Sequence, residues 1–235
     1  MVGLIALAVL VGAFVQAVVG LGVGLITAPL VVALEPALMP SLPLWFGLVV
    51  AGASLMGERH HVDWRAMAWA LPARIPGTVL GVWLVLVFSA NQLGITVALM
   101  VLLAVGLSLA SFDVPVNPTS LVVAGFTAGV TGTATSIGGP PIALLFQRRR
   151  PAEVRSTLAV FFFVGVLMSM VGLLVTDALP LESMLVAIVV SPGMAVGIWA
   201  GMRYRDRLAG ERFRLAVLVV CALAAVLLLV KSLIG

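Results

Sequence analysis

A single arginine stands inside a long apolar stretch of this sequence. Arg74 lies about nine residues into segment 66–88, between Pro72 and Pro76, which is about 14 Å along a helix. Ionisable side chains inside membrane segments are rare and usually functional, and a guanidinium matches the oxygens of sulfonate, carboxylate or sulfite. We therefore predict that Arg74 binds an anion. The alternatives are that it reaches back to the membrane surface or caps a broken helix.

A run of glycines, hydroxyl side chains and prolines interrupts the apolar segment 118–146. Glycines let a ligand approach backbone N–H groups, and a proline suits the first turn of a new helix. Half-helix N-termini direct a positive dipole end at anionic substrate groups in secondary transporters. The predicted substrate-binding residues here are Thr131, Thr133, Thr135, Ser136, Gly138, Gly139 and Pro140. The alternative is that these small residues only allow helices to pack closely in lipid.

A second break, Gly20-Leu21-Gly22-Val23-Gly24, interrupts the apolar segment 2–34. Backbone groups that such breaks leave unpaired are tolerated at membrane depth only against protein or a water-filled cavity. This break has few polar side chains, so we expect the two breaks to contribute unequally. The predicted substrate-binding residues of this region are Gln16, Gly22, Gly24 and Thr27.

The composition indicates that these residues are held by membrane-spanning helices. Hydrophobic residues make up 63% of the 235 residues and charged residues 9%, whereas a soluble domain averages about 45–50% and about 25%. Apolar stretches of about 18 residues or more span a bilayer as helices. By that rule the segments are 2–34, 41–57, 66–88, 93–112, 118–146, 157–176, 181–202 and 213–234.

The two halves of the chain resemble each other. The pattern Pro-Gly-x-x-x-Gly-x-Trp occurs at 76–83 and again, 116 residues later, at 192–199. Upstream, Phe14 and Gly20 match Phe126 and Gly132 at a spacing of 112, so we expect about four extra residues in the second break. We predict a first repeat over 1–112 and a second over 113–235, which together form one membrane domain.

The loop charges predict that the repeats are inverted. Arginines lie in the loops 58–65, 147–156 and 203–214, whereas the corresponding loops of the other half, 177–182, 35–40 and 89–92, hold no basic residue. Basic loops face the cytoplasm. Every basic loop reaches that side only if both broken segments enter and return on one side. We therefore predict an all-α polytopic membrane protein with two inverted four-segment repeats, six spans plus two re-entrant or broken hairpin segments, and both termini outside. The alternative is eight full transmembrane helices.

Several functional classes are disfavoured. Apart from Glu182 at the very start of segment 181–202, no acidic residue lies within a span, which argues against a carboxylate proton relay, a carboxylate sodium site and cation transport. Neither a Ser-His-Asp arrangement nor a phosphate-binding loop occurs, so we expect no enzyme and no cofactor. His60, His61 and Asp63 lie together at the membrane edge with no further histidine in the chain, and we expect no metal site there.

Three motifs are similar to those of a known family. Val62-Asp63-Trp64-Arg65, Gly77-x-x-x-Gly81 and Gly138-Gly139-Pro140-Pro141-Ile142 resemble the sulfite exporter TauE/SafE family of membrane transporters. The resemblance covers nearly the whole chain, although that family's first half usually reads Gly-x-Gly-Gly-Gly. It implies transport of sulfite, sulfoacetate or other sulfonates in the inner membrane of a bacterium or archaeon.

These observations predict a secondary transporter, in the first instance an exporter, for a small organic or inorganic anion. We expect the anion to bind near the midplane between the two repeats. The alternative is a membrane scaffold or assembly protein without transport. The expected partners are the anionic substrate and membrane lipid but no nucleic acid. Whether the protein forms a homodimer is left open by the sequence.

Overall fold

A computed structural model describes residues 2–19, 23–57, 61–109, 114–208 and 211–234. Within these ranges the chain forms helices and contains no strand. The helices are α1 (Val2–Val19), α2 (Val23–Leu34), α3 (Ser41–Gly57), α4 (Trp64–Val87), α5 (Ala90–Leu109), α6 (Pro118–Thr135), α7 (Gly139–Phe146), α8 (Pro151–Val175), α9 (Leu181–Leu208) and α10 (Glu211–Ile234). A short 3-10 turn, Pro36–Leu38, connects α2 to α3.

Five of the described helices, α4, α5, α8, α9 and α10, are long and apolar enough to cross a membrane. The all-α polytopic fold that the composition predicts is therefore confirmed. The sixth predicted span, α3, has 17 residues and a length of about 26 Å, somewhat less than the bilayer core of about 30 Å. Its assignment as a span stays a prediction.

Two predicted loops are shorter in the structure because their basic residues extend helices. α8 begins at Pro151, which places Arg155 inside the helix. α9 continues to Leu208, so Arg203 also lies in a helix. Proline suits the first helical turn, and arginine favours helix at the hydrated end of a span. The hydropathy pattern marks only the apolar part of each helix and therefore misses these ends.

Segment 118–146 is broken at Ser136, which has a left-handed φ of 61°. Beyond Ser136 the chain turns back towards α6. A Cβ at Gly138 would lie only 2.8 Å from the carbonyl oxygen of Ala128, which shows that Gly138 packs against the preceding helix. The end of α7 and the start of α6 join one buried cluster, which includes Phe146 and Leu121. With eight residues, α7 is about 12 Å long and too short to cross a bilayer. The described structure therefore contradicts eight full transmembrane helices at this segment and supports a re-entrant hairpin.

Segment 2–34 divides in the same way into α1 and α2, although residues 20–22 lie outside the described ranges. α2 turns back against α1, because a Cβ at Gly12 would lie 3.5 Å from Val23 Cα. The short helices that follow the two breaks begin at Val23 and at Gly139, 116 residues apart. This is the spacing of the Pro-Gly pattern. The expectation of four extra residues in the second break depends on residues 20–22, which lie outside the described ranges, and stays a prediction.

The most extensive helix–helix contacts connect the two halves of the chain. α4 packs along α6, with Gly77 against the Phe126 carbonyl, and α1 packs along α9, with Gly197 against the Leu10 carbonyl. Glycines allow such close approach of helix backbones. Each pair therefore joins a full-length helix of one half to the first helix of the other half's broken hairpin. The helix order supports the proposed repeats 1–112 and 113–235, while the packing combines them in one body.

Buried residues form three clusters, and each of them combines helices from both halves of the chain. The largest joins α1, α2, α3 and α5 to α9 and α10. A second joins α4 to α6, α7 and α8. A small third cluster lies between α3, α4 and α8, near the end at which α8 finishes. The two broken hairpins thus lie in different clusters and meet between them.

Candidate anion-binding site

Arg74 lies in the interior of the protein, on α4. Only 1% of the residue is exposed, so the alternative that it reaches the membrane surface is wrong. Its Nη1 donates a long hydrogen bond of 3.5 Å to the carbonyl oxygen of Phe161. The guanidinium carbon lies 4.7 Å from the centre of the Phe161 ring. The Nε atom is buried and has no hydrogen-bond partner. The charge is therefore only partly compensated.

Two glycines on neighbouring helices make room for the guanidinium. A Cβ at Gly165 of α8 would clash with the Cζ, Nε and Nη1 atoms of Arg74. A Cβ at Gly132 of α6 would lie 3.1 Å from Nη2. Only the absence of a side chain at both positions lets α6 and α8 close around this arginine.

Arg74 borders a cavity of about 80 Å³ between the two helix breaks. Seven of the twelve predicted binding residues line this cavity, namely Arg74, Gln16, Gly24, Ser136, Gly138, Gly139 and Pro140. The breaks are far apart in sequence, and the fold brings them together. Gly24 faces the Ser136 carbonyl, which leaves no space there for a side chain.

The first turns of both short helices border the same cavity. α2 begins at Val23, whose N–H donates to the side-chain oxygen of Gln16 at 3.1 Å. α7 begins at Gly139, and the Ser136 hydroxyl just before it donates to the Pro40 carbonyl at 2.9 Å. Helix N-termini carry a partial positive charge. In the first turn of α7 only the N–H groups of Gly139 and Ile142 contribute, because Pro140 and Pro141 have none. Together with Arg74 they make this cavity favourable for an anion.

The predicted threonines lie elsewhere. Three of them donate to the carbonyl four residues earlier in their own helix, namely Thr27, Thr131 and Thr135. Thr133 shares a 2.8 Å hydrogen bond with Ser169 of α8. Threonine hydroxyls inside helices commonly bond this way, and these four line neither cavity described here. Gly22 lies outside the described residues. The role of these five in substrate binding stays a prediction without contact support.

A larger cavity of about 410 Å³ adjoins the Arg74 cavity. The two share the lining residues Gln16, Leu25, Ala51, Pro140 and Phe162. The larger cavity extends to the end of the protein where α7 ends and α8 begins, since Gln147 and Arg155 line it. That is the end at which the basic segments lie, which the charge pattern assigns to the cytoplasm. The larger cavity therefore lies between this end of the protein and the Arg74 cavity.

The opposite end is closed by the third cluster. Leu44, Val82, Val166, Met170 and Leu173 fill the space between α3, α4 and α8 beyond Arg74. Two buried polar atoms without a hydrogen-bond partner lie on the helices of this region, Thr78 Oγ1 and Trp45 Nε1. The larger cavity thus lies on the basic side of Arg74, and the packed third cluster lies on the other side.

Several residues of this site escape sequence reasoning. Phe161 and Gly165 lie in an unbroken apolar run, and nothing in that run distinguishes them from lipid-facing residues. The third cluster consists of ordinary aliphatic residues. Of these residues, Gly165 alone carries a signal in the sequence, because an isolated glycine inside a long helix usually has a packing or functional reason.

The fold and the site define a polytopic helical membrane protein with a buried arginine between two re-entrant hairpins. The family model described as "Sulfite exporter TauE/SafE" matches residues 4–228, and the chain belongs to this family of membrane transporters. A protein of Cupriavidus necator, "Probable sulfite/organosulfonate exporter TauE", is 32% identical over 165 residues, which are 65% of this chain and 64% of that protein. The match thus spans less than two thirds of the relative's length. No solved structure matches the chain.

Proposed function

We propose that this protein is a secondary transporter that exports a small organic or inorganic anion, which binds at Arg74 between the two helix breaks. The observation that carries the proposal is the buried guanidinium. Arg74 forms no ion pair with a described residue, and its Nε is unpartnered. Burying a charge without a counter-charge is costly. A bound anion supplies the missing charge and accepts the unused hydrogen bond.

The surroundings favour an anion over other ligands. Two helix N-termini and one guanidinium border the cavity, and no carboxylate lines it. Family membership and the name of the relative suggest sulfite and organosulfonates as first test substrates. Their oxygens suit the planar fork of a guanidinium, which binds oxyanions through two parallel hydrogen bonds.

The two ends of the site support alternating access. The anion enters from the basic end through the larger cavity. Release on the other side requires α3, α4 and α8 to separate at the third cluster, which closes that end in this structure. A single rigid arrangement cannot transport, since one end must open as the other closes.

Flux measurements in proteoliposomes test this proposal. We expect the wild type to transport labelled sulfite or sulfoacetate and Arg74→Met to abolish the flux. Arg74→Lys should retain part of it with a raised KM, because an ammonium is a point charge without the planar fork. The matched control is Arg149→Met, which removes an exposed arginine that pairs with Glu153 and should transport normally.

Two outcomes count against the proposal. If Arg74→Met transports with an unchanged KM, Arg74 is not the binding group. If well-folded wild type moves none of a panel of sulfur and carboxylate anions, the scaffold alternative stands. Melting temperatures in detergent establish that each variant is folded before its flux is compared.

A further inference from the structure

The cavity beside the Arg74 site has a different chemical character from the site itself. Its walls are mostly aliphatic and aromatic side chains, including Leu25, Leu107, Leu144, Phe162 and Leu218. Its volume of about 410 Å³ falls in the range of about 300–1,000 Å³ that is typical of pockets for organic ligands. The Arg74 cavity, at about 80 Å³, accommodates a headgroup and little more.

The two cavities adjoin, because five residues, among them Leu25 and Phe162, line both of them. Arg74 lies at one end of this pair of cavities, and Arg155 lines the larger cavity at the other end. The larger cavity is therefore the neighbouring space into which further atoms of a molecule bound at Arg74 can extend, past Phe162 and Leu25. A water-filled passage for inorganic ions gains nothing from aliphatic walls, whereas a hydrocarbon tail gains affinity from each buried methylene.

We propose that the preferred substrate is an amphiphilic organic anion, with its anionic head at Arg74 and its hydrocarbon tail in the larger cavity. This inference rests on the proposed function and specifies its substrate class. It places sulfonates with several carbon atoms above sulfite and methanesulfonate. The occupant of the apolar chamber is thus part of the substrate and not a membrane lipid.

A homologous series of linear alkanesulfonates, from methanesulfonate to octanesulfonate, tests the proposal in proteoliposomes. Each compound competes against the uptake of a labelled short anion such as sulfoacetate. We expect the inhibition constant to fall about fourfold per added methylene and to level off once the tail exceeds the cavity. An alkyl trimethylammonium with the same tail should not compete, because it cannot pair with Arg74.

Cavity-filling variants separate the chamber from the bilayer. Leu107→Trp adds volume inside the larger cavity, and Ala143→Leu does so from another helix. The matched control is Leu103→Trp, one turn from Leu107 on α5, where the side chain is exposed. We expect both filling variants to remove the dependence of the inhibition constant on chain length, measured on the flux that each variant retains, and the control to behave as wild type.

Three results would overturn the inference. If the inhibition constant does not change with chain length and flux still requires Arg74, the tail site is rejected and the proposed anion transport stands. A chain-length dependence that persists in both filling variants shows that the tails partition into the bilayer. A phospholipid that stays bound in native mass spectrometry, and that octanesulfonate does not displace, assigns the chamber to lipid. Loss of all flux in the wild type would instead contradict the proposed function.

Discussion

The tightest geometric constraint at the site is at Gly165, and Gly165→Ala is its test. A Cβ at this position has no free space, because it would clash with three guanidinium atoms of Arg74. Alanine itself favours a helix over glycine by about 1 kcal/mol. We therefore expect a loss of stability or activity in this variant to arise from displacement of the arginine.

The size of the effect follows from the contacts of Arg74. Displacement loses a hydrogen bond of a charged group to the Phe161 carbonyl, worth about 1.5–3 kcal/mol, and a cation–π contact, worth about 2 kcal/mol when desolvated. After the helix gain of about 1 kcal/mol, we expect a net destabilisation of about 2–4 kcal/mol. If the displaced guanidinium also loses one charged hydrogen bond to the anion, KM rises by a factor of roughly 10 to 150.

Initial flux rates in proteoliposomes and melting temperatures in detergent measure both effects. The matched control is Gly106→Ala on α5, where an added Cβ meets no atom within 4 Å. That variant should keep its KM and melt at the same temperature or slightly higher. A double-mutant cycle isolates the contact, because residues in direct contact are not additive. With Arg74→Ala as background, Gly165→Ala should cost nothing further.

The reasoning fails if Gly165→Ala transports with a wild-type KM and an unchanged melting temperature, since the guanidinium would then lie elsewhere. It fails equally if Gly165→Ala destabilises the Arg74→Ala background as much as it destabilises the wild type. In that case the glycine serves helix packing and not the arginine.

Three further predictions concern the packing and the topology. Thr78→Val should raise the melting temperature, because it removes a buried hydroxyl without a partner that costs about 1–3 kcal/mol; a lower melting temperature would show that the hydroxyl is bonded. Gly197→Ala should reduce the yield of folded protein measured by size-exclusion chromatography, since its Cβ would meet the Leu10 carbonyl on α1. Gly193→Ala is its control, with the nearest atom at 3.9 Å, and equal yields would contradict the close α1–α9 contact. A reporter fused to the C-terminus should be active outside the cytoplasm, because six spans and two hairpins return the chain to that side; cytoplasmic activity would contradict the predicted count.

The hydropathy and the breaks are local properties, and the sequence determines them by itself. An apolar stretch such as α5 is helical in a bilayer because no water is present to satisfy its backbone. Glycine and proline runs mark the places where such a helix cannot continue, and the structure has a break at Ser136 and a second short helix that begins at Val23. Arg74 can also be identified from the sequence, because a charged side chain in a membrane-spanning stretch is rare and usually functional.

Helix ends and side-chain partners are less accessible to this reasoning. The hydropathy pattern cannot locate the arginine-rich ends of α8 and α9, because a helix continues into water without any apolar signal. The hydroxyls of Thr131 and Thr135 suggest ligand binding by their type, yet each bonds within its own helix. The residue type determines which hydrogen bonds a side chain can form, whereas the position of its nearest acceptor determines which of them it forms.

Tertiary structure alone decided which distant residues meet. Nothing local states that α4 lies along α6 and α1 along α9, or that Gly24 faces Ser136 across the site. Gly165 and Phe161 enclose Arg74 from another helix, 87 residues further along the chain in the case of Phe161. The apolar chamber and the closing cluster are built from aliphatic side chains that differ from lipid-facing ones only in position. Because close packing depends on where side chains lie in three dimensions as well as on their identity, the candidate site became visible only once the helices were placed.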